Sequence, residues 1–150
     1  KNFTMRTGGR PFEAAAFLRR AGADTAEVKK LFQNDLEGTI AKYAIIQNAK
    51  LYREKIAIAV VDHTVGRIVA AQAADELLNI IGIDTSFVLY PDGERVIISA
   101  RSMGDTNVQV ILEKLGGGGN AAAAGGQISG KSLSQVATEL TQAIDQYLEG

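Results

Sequence analysis

The sequence of 150 residues contains no cysteine and no tryptophan, two prolines and a single histidine. Without cysteine there are no disulfides and no thiolate metal ligands. The lone His63 has no cluster of Asp or His around it at chelating spacing, so no metal motif is visible and the residue reads as a surface or turn histidine. Long apolar runs are also missing. The longest, Ile56 to Val61, is far too short to cross a bilayer, and no signal-peptide pattern is present. An excess of one charge is lacking as well: 16 Lys and Arg stand against 17 Asp and Glu, a formal net charge of −1. Such a chain has no field to hold long nucleic acid or an anionic membrane. A small phosphate-bearing ligand is not excluded.

What remains is an ordinary globular balance, 46% apolar and 22% charged, with enough length to bury a core. The chain opens on Lys1 rather than Met and is expected to be a piece of a longer protein. Its first third reads as helical. Pro11 suits a first helical turn, "FEAAAFLRRAG" stops at Gly22, and Asp24 to Glu27 resembles a capping box before Val28, Leu31 and Phe32. A longer linker helix is expected from about Asp35 to Arg53.

From Lys55 the pattern changes. "KIAIAVVD" reads as a strand covered on both faces, and "RIVAAQAADELLNIIG" as an apolar helix ending at Gly82. "SFVLYPDGERVIISAR" reads as a hairpin around Pro91-Asp92-Gly93. Val108, Ile111, Leu112 and Leu115 stripe a short helix that stops at Gly116. The last helix starts at Ser132, with Gln135 completing a capping box, and carries Leu133, Val136, Leu140, Ile144 and Tyr147 at helical spacing. The expected fold is α/β, a small mixed sheet flanked by helices over residues 55–150, preceded by a helical segment over 1–54.

"LGGGGNAAAAGGQISGKS", Leu115 to Ser132, poses the functional question. Gly125 to Ser132 spells the Walker A pattern, but "NAAAA" is a poor strand to precede a P-loop and too few residues follow for a nucleotidase sheet. Lys131-Ser132 reads more simply as a turn leading to an N-cap. Gly116, Gly117, Gly118 and Gly119 lie between a helix end and an expected new helix start. One glycine suffices for a cap, so four suggest backbone N–H groups left free for phosphate, with Asn120 adding a side-chain donor. A slack loop is the alternative. Arg101 and Ser102, at the end of the hairpin's second strand, are candidates to converge on the same spot, although Arg101 taken alone reads more simply as a solvated side chain paired with a carboxylate such as Asp105.

"ISARSMGDTNVQVILEKLGGGGNAAAAGG" resembles the substrate-binding C-terminal domain that accompanies the DHH phosphoesterase domain. The hallmark of that domain is Gly-Gly-Gly-His, then two residues, then Ala-Ala-Gly. Gly117-Gly118-Gly119-Asn120 and Ala123-Ala124-Gly125 stand in those places, with Asn120 where the family has histidine. "NFTMRTGGRPFEAAAFLRRAGADTAEVKKLFQNDLE" and "AAQAADELL" resemble the GdpP-like group of cyclic di-AMP phosphodiesterases, so residues 1–54 are identified as the tail of a DHH domain with a linker helix. The resemblance implies a membrane-anchored hydrolase acting at the cytoplasmic face, which converts cyclic di-AMP to linear pApA with two manganese ions held in the upstream DHH domain. It implies no catalytic or metal residue in this chain. Arg101, Ser102, Gly116 to Gly119 and Asn120 would hold the substrate's phosphate and nucleoside, and Arg6-Thr7-Gly8 would lie near the cleft. The implied partners are a small dinucleotide, the upstream DHH domain and, as an open alternative, a second copy of the chain. A nucleotide-sensing module without catalysis and an oligoribonuclease-type enzyme are the competing readings.

Overall fold

The computed structural model describes residues 25–150, with side chains described from residue 35. The helix expected from Pro11 to Gly22, the cap at Asp24 and the Arg6-Thr7-Gly8 stretch lie outside the described residues. Contacts divide the chain into Lys1–Ile40 and Ala41–Gly150. The described part of the first unit is helical, from Thr25 onward.

Helix α1 runs Thr25–Gln47 without a break at Asp35, so the two helices expected there are one. It also stops six residues short of Arg53. The Asn48 N–H bonds back to the Ile45 carbonyl at 3.0 Å, closing the last turn. Ala49–Tyr52 then forms strand β1, paired antiparallel with β2, Ile56–Val60. Leu51 fits a helical apolar spacing, but tertiary pairing with β2 overrides it. Arg53 and Glu54 turn the chain between the two strands, both with positive φ, 57° and 72°. Tyr52 fixes the edge by donating its hydroxyl to Asp145 at 2.7 Å.

Helix α2, Arg67–Leu77, crosses from β2 to the parallel strand β3, Thr85–Asp92. It ends before the expected Gly82, because successive i to i+3 bonds from Leu78, Asn79 and Ile80 tighten the chain out of the α-helix. Strand β4, Arg95–Ser102, returns antiparallel to β3. The hairpin turns on Gly93 and Glu94, with Gly93 at φ 65°, while Pro91 sits inside β3. Proline is tolerated there because β2 stops pairing at Leu89. The short helix α3, Val108–Glu113, is capped by Asn107. Strands β5, Gly118–Gly119, and β6, Ala123–Ser129, and helix α4, Leu133–Glu149, complete the fold.

The six strands lie in the order β1-β2-β3-β4-β6-β5. One face packs Phe87, Leu89 and Ile98 against Ile111, Leu112, Leu140 and Ile144 of α3 and α4. The other packs Ala57, Ala59, Val88 and Ile97 against Ala70, Ala73, Ala74 and Leu77 of α2 and against Ile45. Strand β2 is therefore buried on both sides, as its continuous apolar run requires. The Ser132–Gln135 capping box is present in both directions.

Candidate functional site

The Gly/Ala stretch is neither a linker nor the start of a helix. Residues 123–129 form a full strand beside β4, with Arg101 opposite Ala123 and Ser99 opposite Gly125. Its small residues are what the site demands of a strand squeezed between neighbours. A Cβ on Gly125 would come within 3.1 Å of the Ile98 carbonyl oxygen, and one on Gly126 within 3.3 Å of the Gly117 Cα. Glycine in a strand often marks such close backbone approach. Low β-propensity is overridden by packing, and "NAAAA" leads into a strand after all.

That strand also disposes of the P-loop. Gly125 to Ser129 are hydrogen-bonded into the sheet rather than looped around an anion. Lys131 gives its ammonium to Glu139 at 2.6 Å, and Ser132 caps α4.

The four glycines before Asn120 divide by role. Gly116 has φ 87° and ends the turn after α3, and its N–H bonds to the Glu113 carbonyl at 3.2 Å. The Gly117 N–H goes to Leu112 at 2.8 Å, and a Cβ there would overlap the Gly125 carbonyl. Gly119 has φ 149°, and a Cβ on it would strike the Ala123 carbonyl and Ala124. Gly118 alone has neither a positive φ nor a neighbour within 4 Å of an added Cβ. Three of the glycines have a structural cause, and Gly118 is the one whose smallness the fold does not use.

Asn120 follows with its side chain committed. Its Oδ1 accepts the N–H groups of Ala122 and Ala123, each at 2.9 Å, and its own N–H bonds to the Ala123 carbonyl at 2.7 Å. Two backbone donors on one atom fix that atom as the oxygen. The amide nitrogen is turned away from this bonding as a donor. Histidine at this position could not cap the turn in the same way.

Arg101 and Ser102 do not present their side chains together. Successive strand residues face opposite sides of the sheet. Ser102 is buried on the side of α3 and α4, where its hydroxyl accepts the Gly104 N–H at 3.3 Å. Arg101 faces the α2 side. Its Nε lies 3.0 Å from the Asp75 carboxylate in an ion pair, and its Nη1 donates to the Ala100 carbonyl at 2.8 Å. The carboxylate partner is thus Asp75, not Asp105. Beside Arg101 on this face, Ala123, Gly125 and Gln127 of β6 are half-buried or exposed. The result is a shallow shelf of small residues with a guanidinium at its rim. Asn120 continues the row from Arg101 through Ala123, two strand spacings or about 10 Å away.

His63 is exposed and touches Asp62 at 3.1 Å. Among the described residues, no three of His, Cys, Asp and Glu are grouped so as to hold a metal. Nor is any described helix long and apolar enough to cross a membrane.

The elements described make a mixed α/β sheet flanked by helices, with a glycine edge strand and Arg101 beside the small residues of β6. Residues 53–150 match the DHHA1 domain, and the chain belongs to that family. Along its full length the chain is 43% identical, over 155 aligned residues, to a protein named cyclic-di-AMP phosphodiesterase GdpP in Bacillus subtilis. It is 41% identical over 153 residues to the cyclic-di-AMP phosphodiesterase PdeA of Listeria monocytogenes. It spans only 24% and 23% of those two proteins, about a quarter of their length. The crystal structure of an exopolyphosphatase-related protein from Bacteroides fragilis superposes with a TM-score of 0.67 over 92% of this chain and 43% of that one. At 20% identity that likeness speaks for the fold alone.

Proposed function

We propose that this chain is the substrate-binding part of a phosphodiesterase that hydrolyses cyclic di-AMP to pApA. The observation that carries the reading is the placement of Arg101 on the same open sheet face as the small residues of β6, in one row with Asn120. The relatives' names supply the ligand class, a cyclic dinucleotide. In this reading the Arg101 guanidinium holds a phosphate oxygen by charge-assisted bonds. The space over Gly118 admits the ligand backbone, and the Asn120 amide donates one further bond. Ser102 serves the site indirectly, by holding the turn at Gly104. Phosphodiesterases of the DHH family depend on metal, and the described residues do not offer a donor set for one. No chemical step is therefore assigned to this chain. The metals, manganese in our reading, belong to an upstream DHH domain of the longer protein, which is anchored at the cytoplasmic face of the membrane.

The test is a calorimetric titration of the chain with pApA and with cyclic di-AMP, using ATP with magnesium as the control. Saturable binding of either dinucleotide, weakened about tenfold or more by Arg101→Ala, is the expected result. Binding of ATP alone, or affinity unaffected by Arg101→Ala, would sink the reading.

A further inference from the structure

We propose that strand β1 is a two-state segment, held in the sheet by a clasp on α4 and released to continue helix α1 when the clasp opens. The proposal does not depend on ligand binding.

Residues 49–52 prefer helix by composition. Ala49, Lys50 and Leu51 are strong helix formers, and alanine and lysine are poor strand residues. Leu51 also continues the row of Tyr43 and Gln47 at spacings of four along α1. As a strand the segment has only β2 for a neighbour, because β1 is the edge of the sheet. Lys50 and Leu51 are both exposed there. The turn that returns the chain to β2 is strained as well. Arg53 and Glu54 have φ of 57° and 72°, and the Lys55 N–H bonds to the Arg53 carbonyl at 2.8 Å. A bond that closes over one residue of positive φ marks the rare, strained γ-turn.

The contacts that offset this come from α4. The Tyr52 hydroxyl donates to Asp145 Oδ1 at 2.7 Å, and Arg53 Nε donates to the same oxygen at 3.1 Å. Arg53 Nη2 donates to Glu149 at 3.3 Å. Asp145 and Glu149 are one helical turn apart, so the end of β1 grips a single face of α4. Asp145 is the centre of the clasp, since both residues of β1's end bond to it.

The chain is long enough for the exchange. Three strand steps and one strand spacing put Ala49 about 11 Å from Ile56. Helix continued from Ala49 to Arg53, then extended chain to Ile56, reaches up to about 16 Å. Ile56 therefore keeps its place in β2 while Ile45, near the end of α1, stays in its core. Helix α1 also crosses the division between the two units at Ile40, so a change at its C-terminal end alters the one segment that joins them.

The test is NMR of the whole chain, reading Cα shifts and amide exchange over residues 49–52. The parent should show strand shifts at Lys50 and Leu51. Asp145→Ala should move them toward helical values and speed exchange of the β1 amides by about tenfold or more. Asp145→Asn keeps an acceptor for Tyr52 without the charge and should fall between the two. Leu51→Val, at an exposed position, favours strand over helix and should return Asp145→Ala toward strand shifts. Random-coil shifts in Asp145→Ala would mean that β1 frays without a second state, and would overturn the proposal. Strand shifts unchanged in Asp145→Ala would overturn it too, because the clasp would then not be what holds β1. Should Asp145→Ala fail to fold, Tyr52→Phe with Arg53→Gln opens the clasp without altering α4, and the same shifts decide.

Discussion

Three single-methyl substitutions separate the structural glycines from the one left free for a ligand. Gly117→Ala places a Cβ within the Gly125 carbonyl and 3.0 Å from the Gly126 Cα. Both obstacles are backbone of a paired strand, so β5 must move. Overpacking of this kind costs about 1–3 kcal/mol. Gly119→Ala adds the same overlap against Ala123 and Ala124 to a φ of 149° that L-residues avoid, roughly a further 1 kcal/mol. Gly118→Ala meets nothing within 4 Å and needs no positive φ. Restricting the unfolded chain should leave it neutral or more stable by about 0.4–1 kcal/mol. At about 4 °C per kcal/mol for a body of this size, Gly117→Ala should melt roughly 4–12 °C lower, Gly119→Ala lower still, and Gly118→Ala no lower than the parent. The assay is thermal unfolding by circular dichroism, with amide exchange at Asn120 reporting local release of β5. Loss of stability in Gly118→Ala, or none in Gly117→Ala, would refute this division. Titration of the stable Gly118→Ala protein with pApA then isolates the ligand term, with an expected loss of about tenfold.

Asn120→Asp keeps the acceptor that caps Ala122 and Ala123 but replaces the donor amide with charge. It should melt within about 0.5 kcal/mol of the parent yet bind pApA more weakly, and equal affinity would remove Asn120 from the site. Tyr52 titrates above the ordinary tyrosine value of 10.0, chiefly because its hydroxyl donates to Asp145, with burial and the Asp145 charge adding to the shift. The neutral phenol is the bonded form, so this stability is present below the ordinary value and is lost as pH climbs through the raised one. Tyr52→Phe should cost about 0.5–1.5 kcal/mol at pH 8 and less in strong alkali. Tyr90 is also raised, by burial first, so denaturant melts must compare the variant with its parent at each pH. Glu54→Gly relieves a non-glycine residue at φ 72° and should stabilise by roughly 0.5–1 kcal/mol. A lower melting temperature would show that the Glu54 side chain contributes more than its backbone strain costs.

Where sequence reading succeeded, a period and a boundary agreed. Ser132 and Gln135 open α4 because the cap, the Gln three residues on and the apolar stripe all point to one start. The run from Ile56 to Val61 identified a strand buried on both faces, since no polar residue interrupts it. Failure came where local preference and packing disagree. Ala49 to Tyr52 reads as more helix because Leu51 keeps the spacing, and nothing nearby announces the turn at Arg53 and Glu54. Both residues take positive φ there without being glycine, asparagine or aspartate. The hairpin was legible, but its turn lies at Gly93-Glu94 because Pro91, usually a turn residue, is accommodated beyond the end of β2.

The glycines, Asn120, Arg101 and Ser102 stood out as candidates in the residues themselves and again by resemblance, but what each of them does in the fold was not legible, for a physical reason. A glycine in sequence signals that a Cβ is unwanted without saying what would meet it. At Gly117 and Gly119 the obstacle is the chain's own β6, at Gly116 the cause is a helix end, and only Gly118 leaves space unexplained by the fold. Alternation along β4 likewise turns neighbours in sequence into opposites in space. Arg101 and Ser102 look like a pair in "ARS", yet one faces the open shelf and the other the core. Asp75, 26 positions before Arg101 in the chain, is the residue that touches it. No spacing rule links the two, because their meeting depends on where α2 ends, and that end is fixed by a buried hydroxyl on a third element. The surroundings of the candidate ligand-binding arginine are therefore a property of the sheet and its helix together, and become visible only once β3, β4 and α2 are assembled.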